Sequence, residues 1–241
     1  ILTALGTTFG FILGIDFSLS IIVSAMVAII YTSVGGMWAV AKTDVLQLGI
    51  LMGGLFLAVF FVVPSEGLAH LYAQYKDQMG DAARLWPSTT WRSPNYLWWD
   101  SGLLLVFGGI PWHVYFQRVL SSKSEKTSQW LSIGAGGLCM VAALPAVVCG
   151  MVCATTDWQA LGETGPSHAS IALPYVLKHL TPPLVATLGL GALTAAVMSS
   201  VDSSVLSASS MGAWNVYRPL VSRNRDSYDL QRVVKRLVWI I

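Results

Sequence analysis

The stretch of sequence that decides the fold is GALTAAVMSSVDSSVLSASS, residues 191 to 210. It is apolar enough to lie in a lipid bilayer, yet it contains seven serines and one carboxylate, Asp202. A carboxylate at the centre of a bilayer is costly unless it is paired, hydrated or protonated, so it indicates an ion or substrate path. The alternative is a protonated aspartate that is hydrogen-bonded to a neighbouring helix.

The composition of the whole chain indicates a polytopic membrane protein. Of the 241 residues, 54% are hydrophobic and only 11% are charged, and the mean hydropathy is +0.63. Soluble domains contain roughly 25% charged residues. The net charge of +2 and the scattered basic residues do not predict a nucleic-acid partner. The sequence contains no metal-binding cluster, phosphate loop or nucleophile motif, so we do not expect an enzyme with catalytic residues.

Apolar segments predict about six membrane spans and the start of a seventh. They lie at 1–15, 18–40, 44–63, 97–117, 130–153 and 184–214, with the seventh beginning near Leu237. The sequence therefore predicts an all-α fold with a single transmembrane domain over residues 1–241. Because the chain begins and ends inside apolar segments, we expect it to be a fragment.

The charges of the connecting segments predict which side of the membrane each one occupies. Residues 118–129 and 216–236 are rich in Arg and Lys, so the positive-inside rule predicts that both are cytoplasmic loops. Residues 64–96 and 155–183 are polar and contain no excess of basic residues. Alternation of the spans then predicts that these two are extracellular loops, the first with a short helix near residues 68–78.

The serines around Asp202 form a stripe on a predicted helix. At about 100° per residue, one arc contains Ala196, Ser199 and Ser200 together with the serines at 203, 207 and 210. Close helix packing explains the small side chains but not the carboxylate. Hydroxyls and main-chain carbonyls are the oxygen ligands that a hard cation such as sodium prefers.

A neighbouring span is interrupted. In LLLVFGGIPWHVYFQRVL, residues 103 to 120, the Gly108–Pro111 run disfavours a regular helix. Trp112 and Tyr115 follow the break directly, where they are either packing residues or part of a pocket wall. Indole is the strongest cation–π partner among side chains, and aromatic cages bind quaternary ammonium groups.

Two long motifs carry a family resemblance. The run YTSVGGMWAVAKTDVLQ, residues 31 to 47, and the run AAVMSSVDSS, residues 195 to 204, resemble the sodium/solute symporter family. Within it, GGIPWHVYFQRVLSS, TTDW and AAVMSSVDSSVLSASSM are similar to high-affinity choline transporters. The resemblance implies a fragment of the leucine-transporter-type five-plus-five inverted-repeat fold.

The resemblance also implies roles for single residues. It places Ala196, Ser199 and Ser200 at the main sodium site of the family, and it matches Asp44 to an aspartate associated with sodium release or a further sodium site. From its position alone, Asp44 is equally well explained as a carboxylate at a helix N-terminus. The resemblance matches Asp202 to an acid typical of the choline branch, and we expect Asp202 to be one of the sodium-binding residues.

The resemblance further implies a substrate and a coupling ion. It matches Trp112 to a tryptophan of a choline cage, and Tyr115 lies beside that position. The expected function is choline uptake coupled to Na⁺, with a Cl⁻ requirement, in the plasma membrane, including presynaptic membranes and vesicles. Symport of another small organic solute, a cation channel and a solute sensor are the alternatives. The sequence does not indicate an oligomeric state.

Overall fold

The computed structural model describes residues 2–84, 86, 93–109, 112–221 and 227–240. Those residues form helices and no strand. The α-helices are α1 (Leu2–Leu13), α2 (Phe17–Val62), α3 (Leu68–Met79), α4 (Ser93–Gly108), α5 (His113–Leu120), α6 (Glu125–Thr155), α7 (Ala172–Leu180), α8 (Pro183–Met211), α9 (Arg218–Val221) and α10 (Ser227–Leu237). The predicted all-α fold is therefore confirmed.

Four helical stretches in the described part of the chain are long and apolar enough to cross a bilayer. They are Val40–Val62, Tyr96–Leu120, Glu125–Thr155 and Pro183–Val221, and a shorter apolar helix runs over Phe17–Ile30. Large apolar side chains on these helices are exposed, and Phe60 and Leu105 are 80% and 79% exposed. Such side chains are stable when they face lipid.

The chain divides into two compact units, and the first contains residues 1–63 and 144–241. Its α2 and α8 pack closely. A Cβ atom on Gly54 would lie 2.7 Å from the Cβ of Ala192, and one on Gly189 would lie 2.9 Å from the Leu177 side chain of α7. Leu55 and Ala58 of α2 are buried in the same cluster. Glycine and alanine thus allow the helix backbones to approach each other.

One helix, α2, runs through both of the spans that were predicted at 18–40 and 44–63. It begins after Asp16, whose carboxylate accepts hydrogen bonds from the amides of Ser18 at 2.9 Å and Leu19 at 3.3 Å. No proline follows until Pro64, so nothing in the sequence forces the helix to end near residues 40–44. The two predicted spans therefore lie on one continuous helix, which contains the apolar stretches Phe17–Ile30 and Val40–Val62.

The contacts of α2 show that this long helix is bent. Ala28 packs against Val201, whereas Asp44 contacts Ser199. A straight helix would separate residues 28 and 44 by about 24 Å, but their partners on α8 are only two residues apart. The sequence between them contains the Gly35–Gly36 pair, and such pairs of small residues are among the features at which helices kink.

The second unit contains residues 64–143. Its α3, Leu68–Met79, matches the short helix predicted near 68–78. The predicted interruption is also present, because α4 ends at Gly108 and α5 begins at His113. Ile110 and Pro111, which belong to that interruption, lie outside the described residues.

Two segments that the sequence reads as loops contain additional helices. The segment 155–183 contains α7, and the segment 216–236 contains α10. Pro174 lies in the first turn of α7, where a missing amide hydrogen leaves no helix bond unmade. Which side of the membrane these segments occupy remains a prediction.

Candidate functional site

A hydrogen bond between α2 and α8 links two of the predicted sodium residues. The Ser199 hydroxyl donates to the Asp44 carboxylate at 2.5 Å, and both side chains are partly buried. Asp44 lies in the interior of α2 rather than at a helix start, because α2 continues through the predicted boundary. The interpretation of Asp44 as a helix N-terminal carboxylate is therefore wrong. Its carboxylate is directed to the other helix.

Asp202 lies one turn further along α8, and its environment is drier. The residue is 0% exposed, and the Thr32 hydroxyl of α2 donates to its Oδ1 atom at 3.4 Å. The Oδ2 atom has no hydrogen-bond partner in the described structure. A buried polar atom without a partner is destabilising, and a buried unpaired charge is more so. The carboxyl group therefore needs a proton or a cation nearby.

Part of the predicted stripe on α8 faces the interior of this unit. Gly189, Ala192, Ser203 and Ser207 are buried, as is Ser209 beside them. Ser203 and Ser207 of the predicted stripe are thus buried, whereas Ser200 is exposed. Buried serines are tolerated in such contacts because the helix can accept their hydrogen bonds on its own carbonyls.

Ser200 and Ala196 differ from Ser199. The Ser200 side chain is exposed, and its hydroxyl donates to the Ala196 carbonyl at 3.1 Å, within α8. The two residues that the resemblance assigned to the sodium site together with Ser199 are thus bonded to each other. The Ser199 side chain, by contrast, has a hydrogen bond to α2.

Sequence reasoning missed Thr32, although a signal for it was present. Ser20, Ser24, Ala28 and Thr32 recur every four residues, which places small side chains on one side of a helix. All four are at most 1% exposed. These four residues form a second stripe of small and polar side chains, on α2, and this stripe is buried in the interior of the first unit.

Sequence reasoning also missed Gln47, which follows Asp44 by three residues on α2. Its side-chain oxygen is buried and has no hydrogen-bond partner among the residues that the structure describes. In the run KTDVLQ, Gln47 lies three residues after Asp44, a spacing that places both side chains on the same face of a helix. Polar residues at positions i and i+3 in an apolar span were the available signal.

The predicted substrate residues belong to the second unit. Trp112 is 56% exposed and immediately precedes α5. The Tyr115 hydroxyl shares a 2.6 Å hydrogen bond with the Ser132 hydroxyl of α6, and its ring packs edge-on against Phe116. The structure places Trp112 at the helix interruption. Its contact with a ligand stays a prediction.

A polar cluster joins the stretch 158–163 to α7, which follows it in the chain. Glu163 accepts a hydrogen bond from the Tyr175 hydroxyl at 3.3 Å and lies 3.1 Å from Nδ1 of His179. Tyr175 stacks on His179 and meets Trp158 edge-on. Burial and the neighbouring Glu163 carboxylate raise the pKa of the Tyr175 phenol. Because α7 packs on α8, this cluster supports the helix that contains Ser199 and Asp202.

Comparison with known proteins identifies the family of this chain. A model of the sodium:solute symporter family matches residues 2–241. The high affinity choline transporter 1 of Homo sapiens is 42% identical over 251 residues, covering 100% of this chain and 41% of that protein. Its counterpart in Drosophila melanogaster is 42% identical over 246 residues, covering 100% and 39%.

More distant relatives and one solved structure agree with this result. A sodium/glucose cotransporter of Vibrio parahaemolyticus is 27% identical, covering 92% of this chain and 45% of that protein. A Na⁺-coupled sialic acid symporter, solved in a substrate-bound outward-open state, has a TM-score of 0.81 at 23% identity, covering 99% of this chain and 51% of that one. The chain therefore has about half of a leucine-transporter-type fold. It spans about two fifths of the length of the choline transporters that it matches.

Proposed function

This chain belongs to the sodium:solute symporter family, and from that premise we propose that it takes part in the sodium-coupled uptake of choline. The observation that supports sodium coupling is the contact between the Asp44 carboxylate and the Ser199 hydroxyl across α2 and α8. The observation that supports choline is the 39–43% identity to transporters named for choline, compared with 27% to those named for glucose.

Sodium is the co-transported ion in this proposal. The Asp44 and Ser199 side chains supply oxygen atoms to it, and oxygens are the ligands that hard cations take. Ala196 and Ser200 add a main-chain carbonyl and a second hydroxyl once the hydrogen bond between them opens. Asp202 contributes negative charge from the next turn of α8. We assign no metal other than sodium.

Coupling follows from the position of these groups on two different helices. An ion held by α2 and α8 together stabilises the conformation in which the two helices are in contact. Sodium thereby increases the fraction of the protein in this conformation, and choline binds more tightly to it. By reciprocity, choline raises the affinity for sodium by the same factor. The coupling is lost when either helix loses its oxygen ligand.

Trp112 and Tyr115 are the proposed substrate residues in this chain. A choline ammonium group has no hydrogen to donate, so the face of an aromatic ring is a suitable partner for it. The exposed Trp112 ring lies next to the helix interruption, where it is free of neighbouring side chains over half its surface. A chloride requirement and a plasma-membrane location, including presynaptic membranes and vesicles, belong to the same proposal and rest on the likeness to choline transporters.

Choline uptake by the full-length protein in sealed vesicles tests the proposal. We expect saturable uptake that requires an inward sodium gradient, is reduced when chloride is replaced by gluconate, and is competed by other quaternary ammonium compounds more than by sugars. Single-channel currents in place of saturable uptake would show a cation channel. Choline binding without uptake would show a solute sensor, and uptake driven by sodium for an unrelated solute would replace choline as the substrate.

A further inference from the structure

Gln47 of α2 contains an unpaired buried polar atom, as Asp202 of α8 does, among the residues that the structure describes. Its Oε1 atom is inaccessible to solvent and has no hydrogen-bond partner within the described residues. An amide oxygen that loses its water on burial and gains no partner is destabilising by about 1–3 kcal/mol. The position is therefore unfavourable unless another group binds that oxygen in the working protein.

The register of the two helices shows what lies opposite Gln47. Asp44 contacts Ser199, and Gly54 lies against Ala192 and the Leu188 carbonyl, so the helices run antiparallel with nearly equal steps. Three residues beyond Asp44 on α2 corresponds to about three residues before Ser199 on α8. Ala195 and Ala196 occupy that level. Neither alanine has a side-chain donor for the Gln47 oxygen.

The same spacing brings Gln47 close to Asp44. Residues three apart on a helix have Cβ atoms about 5–6 Å apart on one face, and both side chains are long enough to reach a common point between them. Gln47, together with Asp44 and the Ser199 side chain that is hydrogen-bonded to it, offers an amide carbonyl beside a carboxylate and a hydroxyl. All three can present oxygen to a cation.

We propose that the side-chain carbonyl of Gln47 is a third side-chain ligand of the sodium ion held by Asp44 and Ser199. The inference rests on the proposed function and deepens its ion site. Gln47 would lower the sodium concentration at which the site fills, because the ion supplies the partner that its buried oxygen lacks. The glutamine adds an oxygen without adding charge, which keeps the site suited to a monovalent cation.

Two substitutions at this position separate a ligand from a packing residue. Gln47→Leu removes the oxygen and nearly preserves the shape, whereas Gln47→Glu keeps the oxygen and adds a negative charge. If Gln47 binds sodium, the Leu variant needs about tenfold more sodium for half-maximal effect, and the Glu variant needs no more than the parent protein. If Gln47 only packs, the Leu variant needs no more sodium than the parent protein. Without sodium the Leu variant then unfolds at a higher temperature than the Glu variant, because Leu removes an unpaired polar atom and Glu buries a charge.

The measurement is a sodium titration of the full-length protein, read by equilibrium choline binding and by the thermal unfolding temperature. Gln47→Asn provides a third variant, which keeps the amide but withdraws the oxygen by one methylene and is expected to resemble Leu. The same three substitutions at Gln74, an exposed glutamine on α3, provide the matched control. They are expected to leave the sodium titration unchanged.

The outcomes distinguish this inference from the proposed function. If Asp44→Asn shifts the sodium titration while Gln47→Leu and Gln47→Asn do not, Gln47 is not a ligand and the sodium site stands without it. If neither choline binding nor the unfolding temperature of the parent protein responds to sodium, the sodium-coupled function itself is wrong.

Discussion

Substituting Gly54 by alanine tests the helix contact on which the ion site depends. The added Cβ atom would lie 2.7 Å from the Cβ of Ala192 and 2.8 Å from the carbonyl oxygen of Leu188. Carbon atoms in good contact are about 3.5–4.0 Å apart. Because one of the two obstacles is backbone, a rotamer change cannot relieve the clash, and α2 and α8 must separate by about 1 Å.

The neighbouring Gly53 makes the magnitude measurable. A Cβ atom there meets nothing within 4 Å, so Gly53→Ala keeps only the gain in helix propensity, about 1 kcal/mol. Gly54→Ala has the same gain but adds the overpacking cost of about 1–3 kcal/mol. The difference in unfolding free energy between the two variants is therefore about 1–3 kcal/mol, because the propensity gain cancels.

Thermal unfolding of the full-length protein in detergent, with and without sodium, measures this difference. We expect Gly54→Ala to unfold at a lower temperature than Gly53→Ala. We also expect it to require more sodium for half-maximal choline binding, since Asp44 and Ser199 lie further along the same helix contact. Equal unfolding temperatures for the two variants would refute the close approach of α2 and α8 at this point.

Three further predictions concern the site residues. Ser199→Ala and Ser200→Ala each raise the sodium concentration for half-maximal choline uptake at unchanged surface expression, and an unaltered sodium curve in both removes these hydroxyls from the site. Asp202→Asn keeps the shape and removes the charge, so it lowers uptake or changes the sodium stoichiometry; full activity would instead support a protonated, purely structural aspartate. Trp112→Phe retains part of the choline affinity, whereas Trp112→Leu loses about 2 kcal/mol, or about thirtyfold; equal affinity of the two variants would contradict a cation–π contact.

The features that the sequence predicted well depend on local patterns. The stripe of small residues on α8 follows from helical periodicity, and the structure buries two of its serines, Ser203 and Ser207. The interruption after Gly108 follows from glycine and proline chemistry, which acts on neighbouring backbone atoms. In both cases the cause lies within a few residues of the effect, so a single sequence contains the necessary information.

The features that the sequence did not predict depend on which segments meet in space. Thr32 and Asp202 are 170 residues apart, and their hydrogen bond exists only because α2 packs against α8. The continuity of α2 was missed for a related reason, since the charged residues near Lys42 resemble a loop between two spans when burial is unknown. In the folded chain, Asp44 and Ser199 satisfy each other, and the polar segment stays helical.

The Asp202 carboxylate interacts electrostatically with the cation that we propose to bind at Ser199. Ser199 and Asp202 are three residues apart on α8, so a cation bound at Ser199 lies about 6 Å from Asp202. At an effective dielectric constant of about 20, this separation corresponds to about 3 kcal/mol of attraction between the ion and an ionised Asp202. That energy offsets part of the cost of holding a buried charge whose Oδ2 atom has no partner among the described residues. If sodium binds at the proposed site, it favours ionisation of Asp202, and by reciprocity an ionised Asp202 strengthens sodium binding without contacting the ion.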